Sequence, residues 1–376
     1  MAIAILYSDE LREYDFGPGH PFRGDRYELF ISFLKQHVPE KGNYCLIKAE
    51  PAADADLLQI CSQDYVNFSR DYFRAAHSGS LDHVKFGLYH SMDNMPFNTP
   101  GNLEEAARLI IGQTKLGCEL IQTGKFKVAV SIGGGMHHAK HSFGEGFCLY
   151  NDVAFATLQL LNNYKLKRIA IIDTDAHAGN GTSEYFYTDP RVLFIDIHQD
   201  PRTLYPGTGF MSKIGSAAGK GYTINVPLPP HAAYESYYLI FEEIVEPLIQ
   251  EFKPQIIIRN GGADPHEDDG LTDLALPIRG FRMIGEKVRA MAEEICNGRE
   301  LDLIASGYNT HVIASCWLAL ISGLAGWDIN LEEPELPSSK SRKDPVYAQT
   351  RRIASEIKDV LKPYWKCFQH RNSMQF

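Results

Sequence analysis

No CxxC pair occurs in the sequence, and its seven cysteines, at positions 45, 61, 118, 148, 296, 316 and 367, are scattered and odd in number. A disulfide framework is therefore not expected, and a reducing compartment suits such a chain better. Basic charge is also in short supply. Thirty-seven Lys and Arg against 47 Asp and Glu leave a formal net charge of -10, without the basic stripe expected of a nucleic-acid scaffold. A cationic substrate remains compatible with that balance. No run approaches the ~20 consecutive apolar residues of a membrane helix. The N-terminus, MAIAILYSDELREYD, has no basic region or cleavage pattern and reads as a first strand rather than a signal peptide. These absences predict a cytoplasmic protein that binds neither nucleic acid nor membrane; they leave its oligomeric state open. No internal repeat or linker divides the chain, and a hydrophobic content of 44% with 22% charged residues is globular. Residues 1–376 are expected to form one domain.

What the chain does carry is concentrated in one stretch, RIAIIDTDAHAGNGT at 168–182. Ile169 to Ile172 form an unbroken apolar run of strand length, as expected for a parallel strand covered on both faces. Asp173, Asp175 and His177 follow at spacing two, which in an extended chain places them on one side. Gly179, Asn180 and Gly181 then turn the chain away. Ligands bind at such carboxyl ends in open α/β sheets, and an Asp and a His two apart can chelate one divalent cation. Capping a helix or pairing with basic residues is the plainer alternative.

Further strand signals near residues 3, 45, 128, 193, 223, 256 and 302 predict a three-layer α/β/α fold around a mostly parallel sheet of about eight strands. Several strands run into chemistry. After the strand 126–132 come Gly133, Gly134 and Gly135, which let the backbone pass close to a neighbour, and then His137 and His138, suited to proton transfer. Gly146 and Phe147 lie in a second glycine turn before a helix capped by Asn151 and Asp152. The apolar run at 255–258 leads to Asp264, the best third ligand. An Asp, His, Asp set leaves the open positions that a catalytic metal requires. His266, Asp268 and Asp269 nearby read as a solvated acidic loop. Tyr308 follows the last strand on a glycine turn, where a phenol could donate to an oxyanion; a core tyrosine is the ordinary reading. Asp93 lies in a loop and is either a substrate contact or a turn former. Tyr205 lies in the Pro- and Gly-rich loop after the strand at 192–197. Arg26 opens a helix over 23–35 and reads as a surface or salt-bridging arginine. Other helices are expected over 103–123, 234–252, 276–296 and 345–365, with a surface loop at 332–344.

Taken together and in order, GPGHPFRGDR, GGGMHHA, GFCLYND, DTDAHAGNG, YPGTG, GGAD and SGYN resemble the zinc-dependent histone deacetylase superfamily, which includes acetylpolyamine amidohydrolases and acetoin-utilisation proteins. The resemblance spans all but the last 50 or so residues. It implies one zinc ion per chain, with Asp175, His177 and Asp264 as ligands. It makes His137 and His138 the proton-handling pair, Asp173 the carboxylate behind the first and Asn180 the group behind the second. An amide in that place orients an imidazole without raising its basicity as a carboxylate would. Tyr308 becomes the transition-state tyrosine. Gly146, Phe147 and Tyr205 belong to an acyl-lysine tunnel, with Asp93 as the rim acid holding the substrate backbone and Arg26 as the inner-channel arginine. A structural potassium or sodium ion beside Asp173 and Asp175 is also implied, although Asp196 stands where serine is frequent. The implied reaction is removal of an acetyl or short acyl group from an acylated amine by metal-activated water.

Three other readings share these residues. An acetylpolyamine deacetylase would place an acid at the tunnel mouth, where Leu271 stands here; HQDP at 198–201 and the acids at 267–269 speak for that branch. A dimanganese ureohydrolase of the arginase type needs an Asp two residues after the metal-binding His, where this chain has Gly179. A binding protein without turnover could keep the same fold.

Overall fold

Eight strands pair in parallel in one sheet: β1 (Ile3–Leu6), β2 (Tyr44–Ile47), β3 (Val128–Ile132), β4 (Ile169–Asp173), β5 (Val192–Gln199), β6 (Thr223–Leu228), β7 (Ile257–Asn260) and β8 (Glu300–Ile304). Their order is β2-β1-β3-β8-β7-β4-β5-β6, with helices on both faces. The structure is a computed structural model that describes residues 2–79, 85–98, 100–331 and 344–369. The loop expected at 332–344 lies outside the described residues except for its last position.

The strands fall where their apolar runs predict, because each is sandwiched between helices and must be apolar on both sides. The exceptions are instructive. β7 extends beyond its apolar run to take in Arg259 and Asn260, both fully buried. Arg259 faces Asp302 across the β7–β8 register and forms an ion pair with it, so a charge sits inside the sheet because its partner is there. β5 likewise continues past Asp196 through His198, whose Nδ1 lies 2.9 Å from Asp196 Oδ1.

The helices follow the same logic. In Asp25–His37 the buried face is Tyr27, Phe30, Ile31 and Leu34, at helical spacing. Leu103–Gln122 opens with Glu104 and Glu105 and packs on β3 and on the helix Asp152–Asn162. The stretch expected as one helix over 234–252 is helical at Tyr234–Ile240 and Glu246–Phe252, with a wide π turn at Phe241–Val245 between them. Pro247 accounts for the widening, since it has no N–H to continue the ladder. Ile278–Ile295, Ile313–Ala325 and Tyr347–Leu361 complete the layers.

For function, the strand order matters most. β3, β8, β7 and β4 are neighbours in the middle of the sheet. The histidine pair, Tyr308, Asp264 and the Asp175–His177 stretch follow these four strands, so all four segments emerge side by side at one edge.

Candidate active site

After β4 the chain tightens: Asp175 N–H donates to Asp173 Oδ1 at 3.1 Å, and His177 N–H to Asp175 Oδ1 at 2.8 Å. Those bonds turn Asp175 and His177 toward the loop after β7. His177 Nδ1 lies 3.1 Å from Asp175 Oδ1 and 3.0 Å from Asp264 Oδ2. One ligand atom from each of the three residues falls within 4.8 Å of the other two. Asp264 is oriented by Ser306, whose Oγ donates to Oδ1 at 2.6 Å, and its backbone carbonyl accepts from Thr272 Oγ1, also at 2.6 Å.

Two buried carboxylates this close repel each other, and positive charge between them relieves the repulsion. Burial and the Asp175 carboxylate push Asp264 up to about 8. Burial opposes a charge on His177, yet its bonds to Asp175 and Asp264 hold it up at about 10. Two carboxylate oxygens and an imidazole nitrogen are the hard and borderline donors that zinc takes, and three protein ligands leave a position open. The residues fit such an ion.

Beside this triad, the glycine run after β3 delivers the two histidines. Gly135 passes so close to β7 that a Cβ there would lie 2.4 Å from Asn260 Oδ1. The turn is pinned by Asp152, whose carboxylate accepts from the N–H groups of Gly135 and Met136 at 2.8–3.0 Å. His137 Nδ1 lies 2.8 Å from Asp173 Oδ2, and His138 Nδ1 lies 2.7 Å from Asn180 Oδ1. The two Nε2 atoms are 3.1 Å apart. Burial disfavours charge on either ring. Asp173 and Asp175 outweigh it at His137, which is held up at about 9. At His138 burial is reinforced by His137 and His177, and its pKa falls well below the usual range. The proton between the rings therefore rests on His137, and His138 is neutral.

Tyr308 follows β8 on a turn that is fixed twice. Its N–H donates to Asp269 Oδ2 at 2.7 Å, and Trp317 Nε1 donates to Ser306 O at 3.0 Å. Burial, then Asp264 and Asp175, push the phenol well above its ordinary range, so it stays a hydrogen-bond donor.

Asp175, His177, the histidine pair and Tyr308 line one cavity of about 290 Å³, together with Asp93, Gly146, Phe147, Tyr205 and Leu271. Phe147 has φ 64° and packs against Tyr308 at a ring distance of 5.8 Å. Tyr205 stands over His138 at 5.2 Å. Gly146 has φ 59°, and a Cβ there would sit 2.2 Å from His138 Cδ2. Asp93 is tied into the wall: its Oδ2 accepts from Gly146 N–H at 3.0 Å, and Ser91 Oγ bonds Oδ1.

Arg26 is not a surface arginine. It is 3% exposed, stacks on Phe22 at 3.9 Å and lies 5.2 Å from the centre of the Tyr308 ring. Its guanidinium donates to the carbonyls of Arg23, Ala305 and Pro21 at 2.8, 3.1 and 3.2 Å. Nor is the loop at 266–269 a solvated acidic one. His266 is fully buried, with Nδ1 accepting from Asp268 N–H at 3.1 Å. Asp269 turns inward to Tyr308 and also accepts from Leu271 N–H at 3.0 Å. Among the described residues, the donor group of Asp175, His177 and Asp264 is the one that could hold a metal ion, which leaves the two-metal reading without a second ligand set. Asp196 spends one oxygen on Gly179 N–H at 2.9 Å and the other on His198; neither is free for a monovalent cation.

Four participants have no signal in the sequence. Phe22 lines the cavity, Ser306 orients Asp264, Asn260 Nδ2 donates to Asp173 at 2.9 Å, and Asp269 holds Tyr308. Each is an ordinary residue type that becomes informative through its neighbour in space.

The edge just described, with a carboxylate and imidazole triad, paired histidines and a tyrosine under an aromatic tunnel, defines a deacetylase type of site. Residues 20–324 match the histone deacetylase domain. The chain belongs to the histone deacetylase family. It is 34% identical over 376 residues to a "Probable deacetylase" of Archaeoglobus fulgidus, covering 98% of this chain and all of that protein. It is 33% identical over 320 residues to the "Acetoin utilization protein AcuC" of Staphylococcus aureus, covering 84% of this chain and 79% of that one. Its fold matches the crystal structure of the HDA15 HD domain with a TM-score of 0.81 at 24% identity, over 98% and 97% of the two chains.

Proposed function

We propose that residues 1–376 act as one zinc-dependent deacetylase domain, at work in the cytoplasm, that removes acetyl or other short acyl groups from acyl-lysine. The observation that carries the reading is the convergence of Asp175, His177 and Asp264 within 4.8 Å at the cavity that Tyr308 and the two histidines line.

Asp175, His177 and Asp264 would hold the zinc ion. When bound, it supplies Lewis acidity, polarising the substrate carbonyl and lowering the pKa of a water to about 7. His138 is neutral, and its Nε2 takes a proton from the attacking water. His137, kept protonated by Asp173, supports the pair, and a protonated histidine then delivers a proton to the leaving amine. Tyr308 donates its phenolic hydrogen to the oxyanion of the tetrahedral intermediate. Phe147 and Tyr205 flank the acyl-lysine stem and exclude water from it, and Gly146 leaves room for His138. The products are a carboxylate and a free amine.

Acyl-lysine is favoured over an acetylpolyamine by the mouth of the cavity. A distal ammonium needs an acid there, yet Leu271 occupies the position, 38% exposed, and Asp269 faces inward. Asp93 contributes its carboxylate to Gly146. The test is a side-by-side assay of the zinc-loaded protein on an acetyl-lysine peptide, acetylputrescine and acetylspermidine. The peptide should have the highest kcat/KM by at least about tenfold, the worth of one well-made polar or apolar contact. A preference for either polyamine would contradict the assignment.

A further inference from the structure

The amide behind His138 is itself held by a carboxylate. Asn180 Nδ2 donates to Glu145 Oε1 at 2.7 Å, and the same oxygen pairs with Lys140 Nζ at 2.9 Å. The Glu145 side chain is 14% exposed. It lies between the histidine pair and the glycine turn, one residue before Gly146. The Glu145 backbone carbonyl also accepts from Cys148 N–H at 3.0 Å, which anchors the residue at its other end.

We infer that Glu145 is a positioning residue for His138, acting through Asn180 to fix which imidazole nitrogen carries the proton. The inference rests on the deacetylase reading above and adds to it the device that sets the base. An asparagine amide has an oxygen that only accepts and a nitrogen that only donates, and by itself can present either end to a neighbour. A carboxylate that is ion-paired with lysine has no donor to offer, so it takes the Nδ2 end. Asn180 Oδ1 is thereby turned to His138, 2.7 Å from Nδ1. An oxygen acceptor there requires the proton on Nδ1, which leaves the Nε2 lone pair facing the cavity. Flipping the amide would set its N–H groups against Nδ1, move the imidazole proton to Nε2 and remove the base.

A carboxylate directly behind the histidine would lock the same tautomer alone. Here the negative charge stands one amide further back, so the lock needs two residues. That division makes a reciprocal prediction. Asn180→Asp places a carboxylate against Glu145, whereas Glu145→Gln in the same chain supplies a donor to it.

The experiment is a double-mutant cycle on the zinc-loaded enzyme with acetyl-lysine peptide, together with nitrogen-15 NMR of the labelled histidines. Glu145→Gln should lower kcat by about tenfold, the lower end of what loss of an orienting partner costs, with KM and zinc content unchanged. Asn180→Asp alone should also lose kcat. The double variant should return to within about threefold of the parent, a rescue that independent sites do not give. In the spectra, His138 of the parent should show a protonated Nδ1 and a bare Nε2, and Glu145→Gln should shift both resonances toward a mixture of tautomers. Losses that multiply in the double variant, or His138 resonances that do not move, would overturn the inference. A tautomer shift in a protein that turns over none of the acylated amines would sink the deacetylase reading and leave the Glu145–Asn180–His138 connection standing.

Discussion

At the scale of single residues, the site shows why chemical type and spacing reveal ligands better than they reveal the groups that orient them. Asp175, His177 and Asp264 are legible in the sequence because two acids and an imidazole at the ends of apolar strands have few other uses. Arg26 is not legible in that way. Its place beside Phe22 and Tyr308 depends on three carbonyls from separate segments, none of which leaves a mark on the helix that bears it. Asp269 is concealed by its acidic neighbours, and only its bond to Tyr308 N–H separates it from them. Tyr308 gives the sharpest prediction at this scale. Its phenol has only the oxyanion to stabilise, so Tyr308→Phe should lower kcat by about 10²–10³-fold, the cost of one lost oxyanion donor. KM and zinc content should stay near those of the parent. A kcat within a few-fold of the parent would remove the tyrosine from the mechanism.

At the scale of elements, the positions of the strands could be read from their apolar runs, and their ends could not. β7 and β5 both run on through charged or polar residues, since a buried partner lies beside each: Asp302 opposite Arg259, and His198 next to Asp196. Such pairings are long-range and have no local signature. The loops are where the elements become a site. The glycine turn after Lys140 brings Gly146 against the His138 ring, with a left-handed φ of 59° and no room for a Cβ. Gly146→Ala should therefore displace His138 and lower kcat on the order of 100-fold, as misplacement of a catalytic group by about 1 Å does. Circular dichroism should show the sheet intact. An alanine variant of full activity would mean that the wall can retreat from the histidine.

At the scale of the whole molecule, one parallel sheet places four neighbouring strand ends at a common edge. The three-layer fold and the strand count were legible in the sequence because both faces of every strand are covered. That β8 and β7 lie between β3 and β4 was not, as strand order follows from crossovers that no single strand encodes. A metal bound where these ends meet ties β4 to β7 and should raise stability by mass action, by about 3–4 kcal/mol at a hundred- to thousandfold excess of free zinc over its Kd. Chelation should accordingly lower Tm by several degrees. The central claim is that Asp175, His177 and Asp264 hold the ion on which turnover depends. Its most direct test is to measure zinc per chain and acetyl-lysine turnover together in the parent, His177→Ala and Asp264→Asn proteins. The account predicts one zinc per chain in the parent, with zinc and turnover lost together in both variants and turnover returned to the stripped parent by zinc. Zinc retained in full by those variants, or turnover by the stripped parent, would contradict it.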